Sequence, residues 1–389
     1  MNKHLLHIIM NGVRTFILPV TLFVVSYFVV NYYHHQLWGA FVVELLLVNI
    51  IVHVLQWGNK EHLVRLFSKE PAQIHHHFYT SLLTRSLLLI PVVGVLFFLG
   101  GDTIKTTWIV LWIIGLFIYH SCESLIVYTK KFKLQVVTEL MALGGIVVYL
   151  IMQKNLEVLD LIHVFVLATW FKTLVLVVQL FPKPIVLRIN FKEFLISLPF
   201  FVIGFSGLLQ SRIDQYIIAL FCDQEVIGTY QIFLSAFILL QALSAIIITP
   251  FNKIIYRISL PVFNKIHRKI TLLSILLVLL FGTVISAGLF YFYQLNVAYG
   301  YYLAGILFAF PPFVYVPIIY LFYRAGKEKE IMVVNYFGAA FNLGLTLFFV
   351  FYGHPFNAII ASAMAQWLML IWYLYRKKTI LHEVELSNL

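Results

Sequence analysis

Runs of about twenty apolar residues recur along the whole 389-residue chain, and nothing else in it limits the fold as much. As a helix, each run is long enough to cross about 30 Å of hydrocarbon. Backbone N–H and C=O groups find no water at that depth, so the runs are expected to be helices that satisfy their own hydrogen bonds. Only 11% of the residues are charged, against about a quarter in soluble domains, and 62% are hydrophobic. The expected class is an all-α integral membrane protein.

Breaks at charged, Gly, Pro and Asn clusters place spans near 13–31, 37–57, 80–100, 106–129, 134–152 and 159–181. A second set falls near 194–221, 226–250, 270–293, 299–323, 331–352 and 356–376. The first run begins near Gly12 and is too long for a signal peptide, so it is expected to stay as a transmembrane helix. Lys and Arg orient this map, because cationic loops mark the cytoplasm. Of the 27 basic residues, only Lys105 and Lys154 fall in outside connections, only Arg85, Lys172 and Arg212 lie deep within spans, and the other 22 lie in inside segments or at inner span ends. Both termini are therefore expected on the cytoplasmic side. The net charge of +11 follows from the same bias and suits anionic lipids at the cytoplasmic face, with no call for nucleic acid.

Several chemistries are not encoded. Cys122 and Cys222 lie a hundred residues apart in apolar surroundings, which argues against a disulfide framework or thiolate metal site. The consecutive His75, His76 and His77 would point in different directions on a helix. Neither a phosphate-binding glycine loop nor an H-E-x-x-H zinc motif occurs, so no metal or cofactor is expected.

The spans divide into two sets of six with matching landmarks. Leu18-Pro19 and Leu198-Pro199 stand 180 residues apart. Trp38-Gly39-Ala40-Phe41 opens span 2 as Ile227-Gly228-Thr229-Tyr230 opens span 8, and Asn59-Lys60 and Asn252-Lys253 follow their inner ends. These pairs predict parallel repeats around a central cleft: a six-helix lobe at 1–181, a cytoplasmic linker at 182–193, a second lobe at 194–376 and a tail at 377–389. Pro19 and Pro199 each remove a backbone hydrogen bond at matching places, which makes them candidate gating kinks. The inner loops carry amphipathic stretches, Asn59–Phe67 and Phe251–Ile266, that read as helices lying on the leaflet.

Buried charge points to function, since such residues are expensive in lipid and usually face a protein interior or an aqueous path. In the first lobe, Arg85, Glu123 and Glu139 lie roughly 8–10 Å from the inner boundary and Lys172 about 14 Å. Two of each sign at similar depth form either a neutralising network or one wall of the cleft. Glu44 has no obvious local partner. In span 7, Arg212 and Asp214 are two residues apart and point to different sides of the helix. Spans 8 to 12 offer almost no ionised residue, so partners from the first lobe or from a ligand are expected for this pair.

The phrase Arg212-Ile-Asp214-Gln-Tyr216-Ile-Ile, followed by Val226-Ile-Gly228-Thr-Tyr230-Gln, resembles the span 7–8 region of bacterial polysaccharide flippases. These are the lipid-linked oligosaccharide translocases of the multidrug/oligosaccharidyl-lipid/polysaccharide exporter superfamily. Leu37-Trp-Gly39-Ala-Phe41, then Gly58-Asn-Lys60-Glu, Leu63, Arg65 and Phe67, resembles the end of span 2 and the following loop in that family. The resemblance implies alternating-access transfer of an undecaprenyl-diphosphate-linked oligosaccharide across a bacterial inner membrane. It implies head-group contacts at Arg212, Lys172 and Arg85, because cations and above all arginine suit a diphosphate. Asp214, Glu44, Glu123 and Glu139 would orient those cations or couple to a proton or sodium ion. A cation-coupled exporter of small amphipathic molecules is the nearest alternative. A glycan polymerase or ligase fits less well, because outside loops of about three to nine residues leave little room for positioned side chains.

Overall fold

A computed structural model describes residues 3–181, 183, 188–248, 255 and 258–386. The described residues are nearly all helical, with no strand among them. In chain order, the first helices are α1 (Lys3–Tyr32), α2 (His35–Gln56), α3 (Asn59–Lys69), α4 (Ile74–Ser86) and α5 (Leu89–Leu99). Then come α6 (Thr103–Thr129), α7 (Phe132–Met152), α8 (Val158–Leu180), α9 (Lys192–Phe221) and α10 (Gln224–Ile248). The last are α11 (Leu260–Phe292), α12 (Tyr299–Ala309), α13 (Pro311–Arg324), α14 (Glu328–Tyr352) and α15 (Ala358–Leu386). Among the described residues, eleven helical stretches are long and apolar enough to cross a membrane, and Pro19–Tyr32 adds a shorter apolar one.

Two expected spans are each built from two helices. The stretch near 80–100 turns at Leu87–Leu88, between α4 and α5. Pro91 explains the turn, because it has no N–H to give to Leu87 and its ring crowds that carbonyl. The stretch near 299–323 breaks at Phe310, where Pro311 and Pro312 open α13. Pro19 and Pro199, by contrast, sit inside the continuous helices α1 and α9.

The stretch after span 2 differs from a helix lying on a leaflet. In α3, Leu63 and Phe67 are fully buried against Phe78, Tyr79, Cys122, Leu125 and Ile126. An apolar stripe is satisfied by protein as well as by lipid, and the stripe alone does not say which. Much of the second stretch, including Lys253, Ile254 and Arg257, lies outside the described residues, as do Asn252 and part of the 182–193 linker. Its later part is helical: Phe263 belongs to the start of α11 and is buried beside Leu260, Ile318 and Phe322.

The chain forms two compact units, Met1–Thr21 with Tyr32–Phe205, and Leu22–Asn31 with Ser206–Leu389. Aromatic rings fill the first, where Phe41 stacks on Trp112 at 5.7 Å and meets Phe165 at 4.8 Å. A sharp corner joins α2 to α3. Trp57 and Gly58 both take left-handed backbone angles, with φ of 45° and 66°. The Trp57 indole donates to the Phe194 carbonyl at 3.0 Å and stacks on Phe201 at 4.3 Å, so the corner grips α9 on both sides of Pro199. In the second unit, Phe233 meets Phe237, Tyr302 and Phe356 within 5.1–5.6 Å.

Candidate functional site

The second unit centres its buried charge on Asp214 of α9, which is 1% exposed. Asp214 Oδ2 accepts hydrogen bonds from the Tyr230 hydroxyl of α10 at 2.5 Å and from Ser362 Oγ of α15 at 2.7 Å. Its Oδ1 accepts the Gln215 backbone N–H at 2.9 Å. Behind Ser362 stands Asn342 of α14, whose amide donates to Ser362 Oγ at 3.1 Å. Thr346, one turn further along α14, donates to Asn342 Oδ1 at 3.0 Å. Side chains of α10 and α15 thus meet one carboxylate on α9, and α14 supports it through Ser362.

This arrangement corrects one expectation. The partners of Asp214 are neutral hydroxyls of its own unit, where a charged group from the first lobe or a ligand was expected. A carboxylate's lone pairs can be met by neutral hydroxyl and amide donors, so an opposite charge is not required. Among the described residues Arg212 and Asp214 form no ion pair with each other, though each lies in the other's field. Half-buried Arg212 donates from Nη1 to Gln215 Oε1 at 2.9 Å, an i,i+3 contact on its own helix.

The first unit holds its charges in separate groups. Glu139 of α7 takes Lys172 Nζ of α8 at 3.0 Å, and the Tyr119 hydroxyl of α6 donates to its other oxygen. Gln135 donates to the Tyr119 hydroxyl at 2.8 Å, and Arg14 Nη1 of α1 donates to Gln135 Oε1 at 3.3 Å. A polar relay from Arg14 to Lys172 therefore crosses α1, α7, α6 and α8. Glu123 pairs with Lys60 Nζ at 3.1 Å and with His120 Nδ1 at 2.7 Å. Arg85, 3% exposed, donates to neutral oxygens: the Ser81 carbonyl at 3.2 Å and Ser121 Oγ at 3.2 Å. Its guanidinium also covers the Phe117 ring at 5.2 Å. Glu44, expected without a local partner, forms an ion pair with Lys105. Lys105 enters α6 only two residues from its start, and its long stem reaches Glu44 on α2.

Tyr119 and Gln135 in the first unit, and Ser362 in the second, carried no sequence signal of their own, and Tyr230 stood out only as a repeat landmark. The one available signal was the i,i+4 spacing of Asn342 and Thr346, which puts two polar groups on one face of an apolar helix. As potential ligands, Asp214, Ser362, Asn342 and Thr346 offer oxygens, a set that suits hard cations. Among the described residues, no group of three or more His, Cys, Asp or Glu is placed to hold a metal ion.

The fold is similar to that of several solved membrane transporters. No family model matches the chain, and no curated protein matches it in sequence. A solved structure of the lipid II flippase MurJ in an inward closed conformation is similar over 97% of this chain and 90% of that one. Its TM-score is 0.68 at 13% identity. The eukaryotic MATE transporter AtDTX14 is similar over 96% of this chain and 98% of its own, with TM-score 0.58 at 12% identity. An outward-facing multidrug resistance MATE transporter gives TM-score 0.52 at 13% identity, covering 96% of each chain. Resemblance at this level of identity concerns the fold.

Proposed function

We propose that the chain moves an amphiphile with an anionic head group, an undecaprenyl-diphosphate-linked oligosaccharide, from the inner to the outer leaflet of a bacterial inner membrane. Alternating access carries the head group while the lipid tail stays in the bilayer, and no covalent chemistry is involved. The observation that carries this reading is the separation of Arg212 from Asp214. Asp214 is held by Tyr230 and Ser362, and Arg212 leans on a neutral amide, so its charge is left to meet a phosphate. The likeness to a lipid II flippase supports the same substrate class. Lys172 and Arg85 are the further candidate cations for the head group, with Glu139, Glu123 and Glu44 as orienting carboxylates for them or their neighbours. Pro19 and Pro199 serve as bending points. In a strain that depends on this protein for glycan export, Arg212→Ala is expected to abolish export and Arg212→Lys to restore part of it. Full export by Arg212→Ala would sink the reading.

A second reading rests on the oxygen-rich cluster around Asp214 and on the MATE-like fold. In it, the chain exports small amphipathic molecules, and sodium or a proton at Asp214 drives the cycle. Drug-resistance measurements in cells separate the two, since only the exporter raises tolerance to amphipathic drugs. The Asp214 cluster serves as the coupling site under either reading, with both termini at the cytoplasmic face.

A further inference from the structure

One polar cluster in the first unit belongs neither to the Glu139 relay nor to the Glu123 pair. On α3, Asn59 and His62 are three residues apart and share a face, and on α4 Thr80, Ser81, Thr84 and Arg85 share another. Glu193 stands in the first turn of α9, where Ser197 bonds its carbonyl at 2.6 Å. These three faces meet. Ser81 Oγ donates to Asn59 Oδ1 at 2.9 Å, and Arg85 Nε donates to Ser81 Oγ at 3.3 Å. The Glu193 carboxylate lies beside the Ser81 hydroxyl, in the fields of Arg85 and His77. His62 shares the fields of Arg85 and His77, and its ring faces Phe200 of α9 at 6.1 Å. The Asn190 N–H donates to Thr84 Oγ1 at 2.9 Å, which ties the approach to α9 onto α4.

Within this cluster, Asn59 Nδ2, His62 Nε2, Thr80 Oγ1 and Glu193 Oε2 are buried and make no hydrogen bond. Asn59, His62 and Thr80 are 1%, 5% and 1% exposed. Each such atom is costly to bury unless a polar group reaches it, so four in one cluster point to an occupant. The set mixes the Asn59 amide donor with the Glu193 acceptor. A metal ion would meet the amide and the Arg85 charge, and an anion would meet the carboxylate. Water answers both, because it donates and accepts.

We propose that ordered water fills the foot of α9 around Asn59, His62 and Thr80 and makes Glu193 a second proton-exchanging carboxylate, distinct from Asp214. The charged and titratable groups around it are Arg85 and His77 on α4, His62 on α3 with Arg65 behind it, and Lys192 on its own helix. His77 in turn holds Glu70 at 3.0 Å, and Arg188 reaches His76 at 3.4 Å. Proton exchange at Glu193 stands on the cluster alone, and only its use in driving transport rests on the reading above.

Infrared difference spectra of the full-length protein in nanodiscs, between acidic and alkaline buffer, test the exchange. A protonated-carboxyl band is expected in the parent and in Asp214→Asn, and it is expected to be lost in Glu193→Gln. Exchange of that band into D2O should slow when Asn59→Leu and Thr80→Val remove two of the water's holders. If Glu193→Gln keeps every pH-dependent carboxyl band of the parent, the proposal is overturned. Should that variant not fold, Glu193→Asp carries the same test: a displaced band supports the proposal, and an unmoved one overturns it. The coupling arm is read in proteoliposomes, where a pH step should drive lipid-linked oligosaccharide movement in the parent and not in Glu193→Gln. Lack of transport in the parent together with a Glu193-dependent band would remove the transport reading and leave the proton site standing.

Discussion

At the scale of single residues, the chain settles most of its intramembrane charge with small, close groups. Lys172 and Glu139 are the clearest case, with side chains 9% and 4% exposed and 3.0 Å apart. Removing one partner strands the other charge in a dry interior, at a cost of about 3–5 kcal/mol, whereas replacing both by apolar groups is often close to neutral. Lys172→Met alone is therefore expected to lower the thermal midpoint of the detergent-purified protein strongly. Lys172→Met with Glu139→Leu should recover most of the loss. A double variant no more stable than the single one would contradict the pairing. The charged members of these groups were legible in the sequence, because an ionisable residue in an apolar run stands out. Their partners were not. A tyrosine or serine in an apolar helix gives no signal of its own, and helical spacing says which face Tyr119 or Ser362 shares but not which helix lies opposite.

At the scale of elements, prolines and one corner decide where helices stop. Pro91 ends α4 and opens a turn beside α5, a helix with no buried residue to hold it in line. Pro199 interrupts nothing, since Trp57 grips α9 at Phe194 and Phe201 on either side of it. The corner itself depends on Gly58. A Cβ there would come within 2.5 Å of the Phe201 nitrogen and 2.7 Å of Phe200 Cβ, and the φ of +66° disfavours any L side chain. Gly58→Ala is therefore expected to destabilise by at least about 2 kcal/mol, the scale of overpacking against atoms that cannot move aside. Gly207→Ala is the matched control. It lies in α9 with nothing within 4 Å of the added Cβ, and should be neutral or slightly stabilising in the same thermal measurement. Equal losses for both variants would show that the corner is not gripped as described.

At the scale of the whole molecule, the distribution of Lys and Arg predicts a topology that labelling can check. In a variant with Cys122 and Cys222 replaced by serine, Lys154→Cys should react with a membrane-impermeant thiol reagent added to intact cells. Lys131→Cys should react only after the cells are opened. Both positions are exposed in the folded chain, so a reversed pattern would mean a reversed orientation and not hidden thiols. The division into units is less simple than a cut between two blocks of sequence. Residues 22–31 of α1 belong with the second unit, where the Tyr293 hydroxyl donates to the Phe23 carbonyl at 2.5 Å and meets Ser26 Oγ at 3.1 Å. Residues 192–205 of α9 belong with the first, held at Trp57. By itself, the sequence determined the membrane class, the helical runs and the residues that must hide charge, because hydrocarbon penalises exposed polar groups wherever they fall in the chain. Only the tertiary structure decided that Asp214 rests on Tyr230 and Ser362, that Glu44 meets Lys105, and that α3 buries its apolar face in protein. Those pairings join residues far apart in the chain, and the distances between helices that bring them together leave no periodic trace in one sequence.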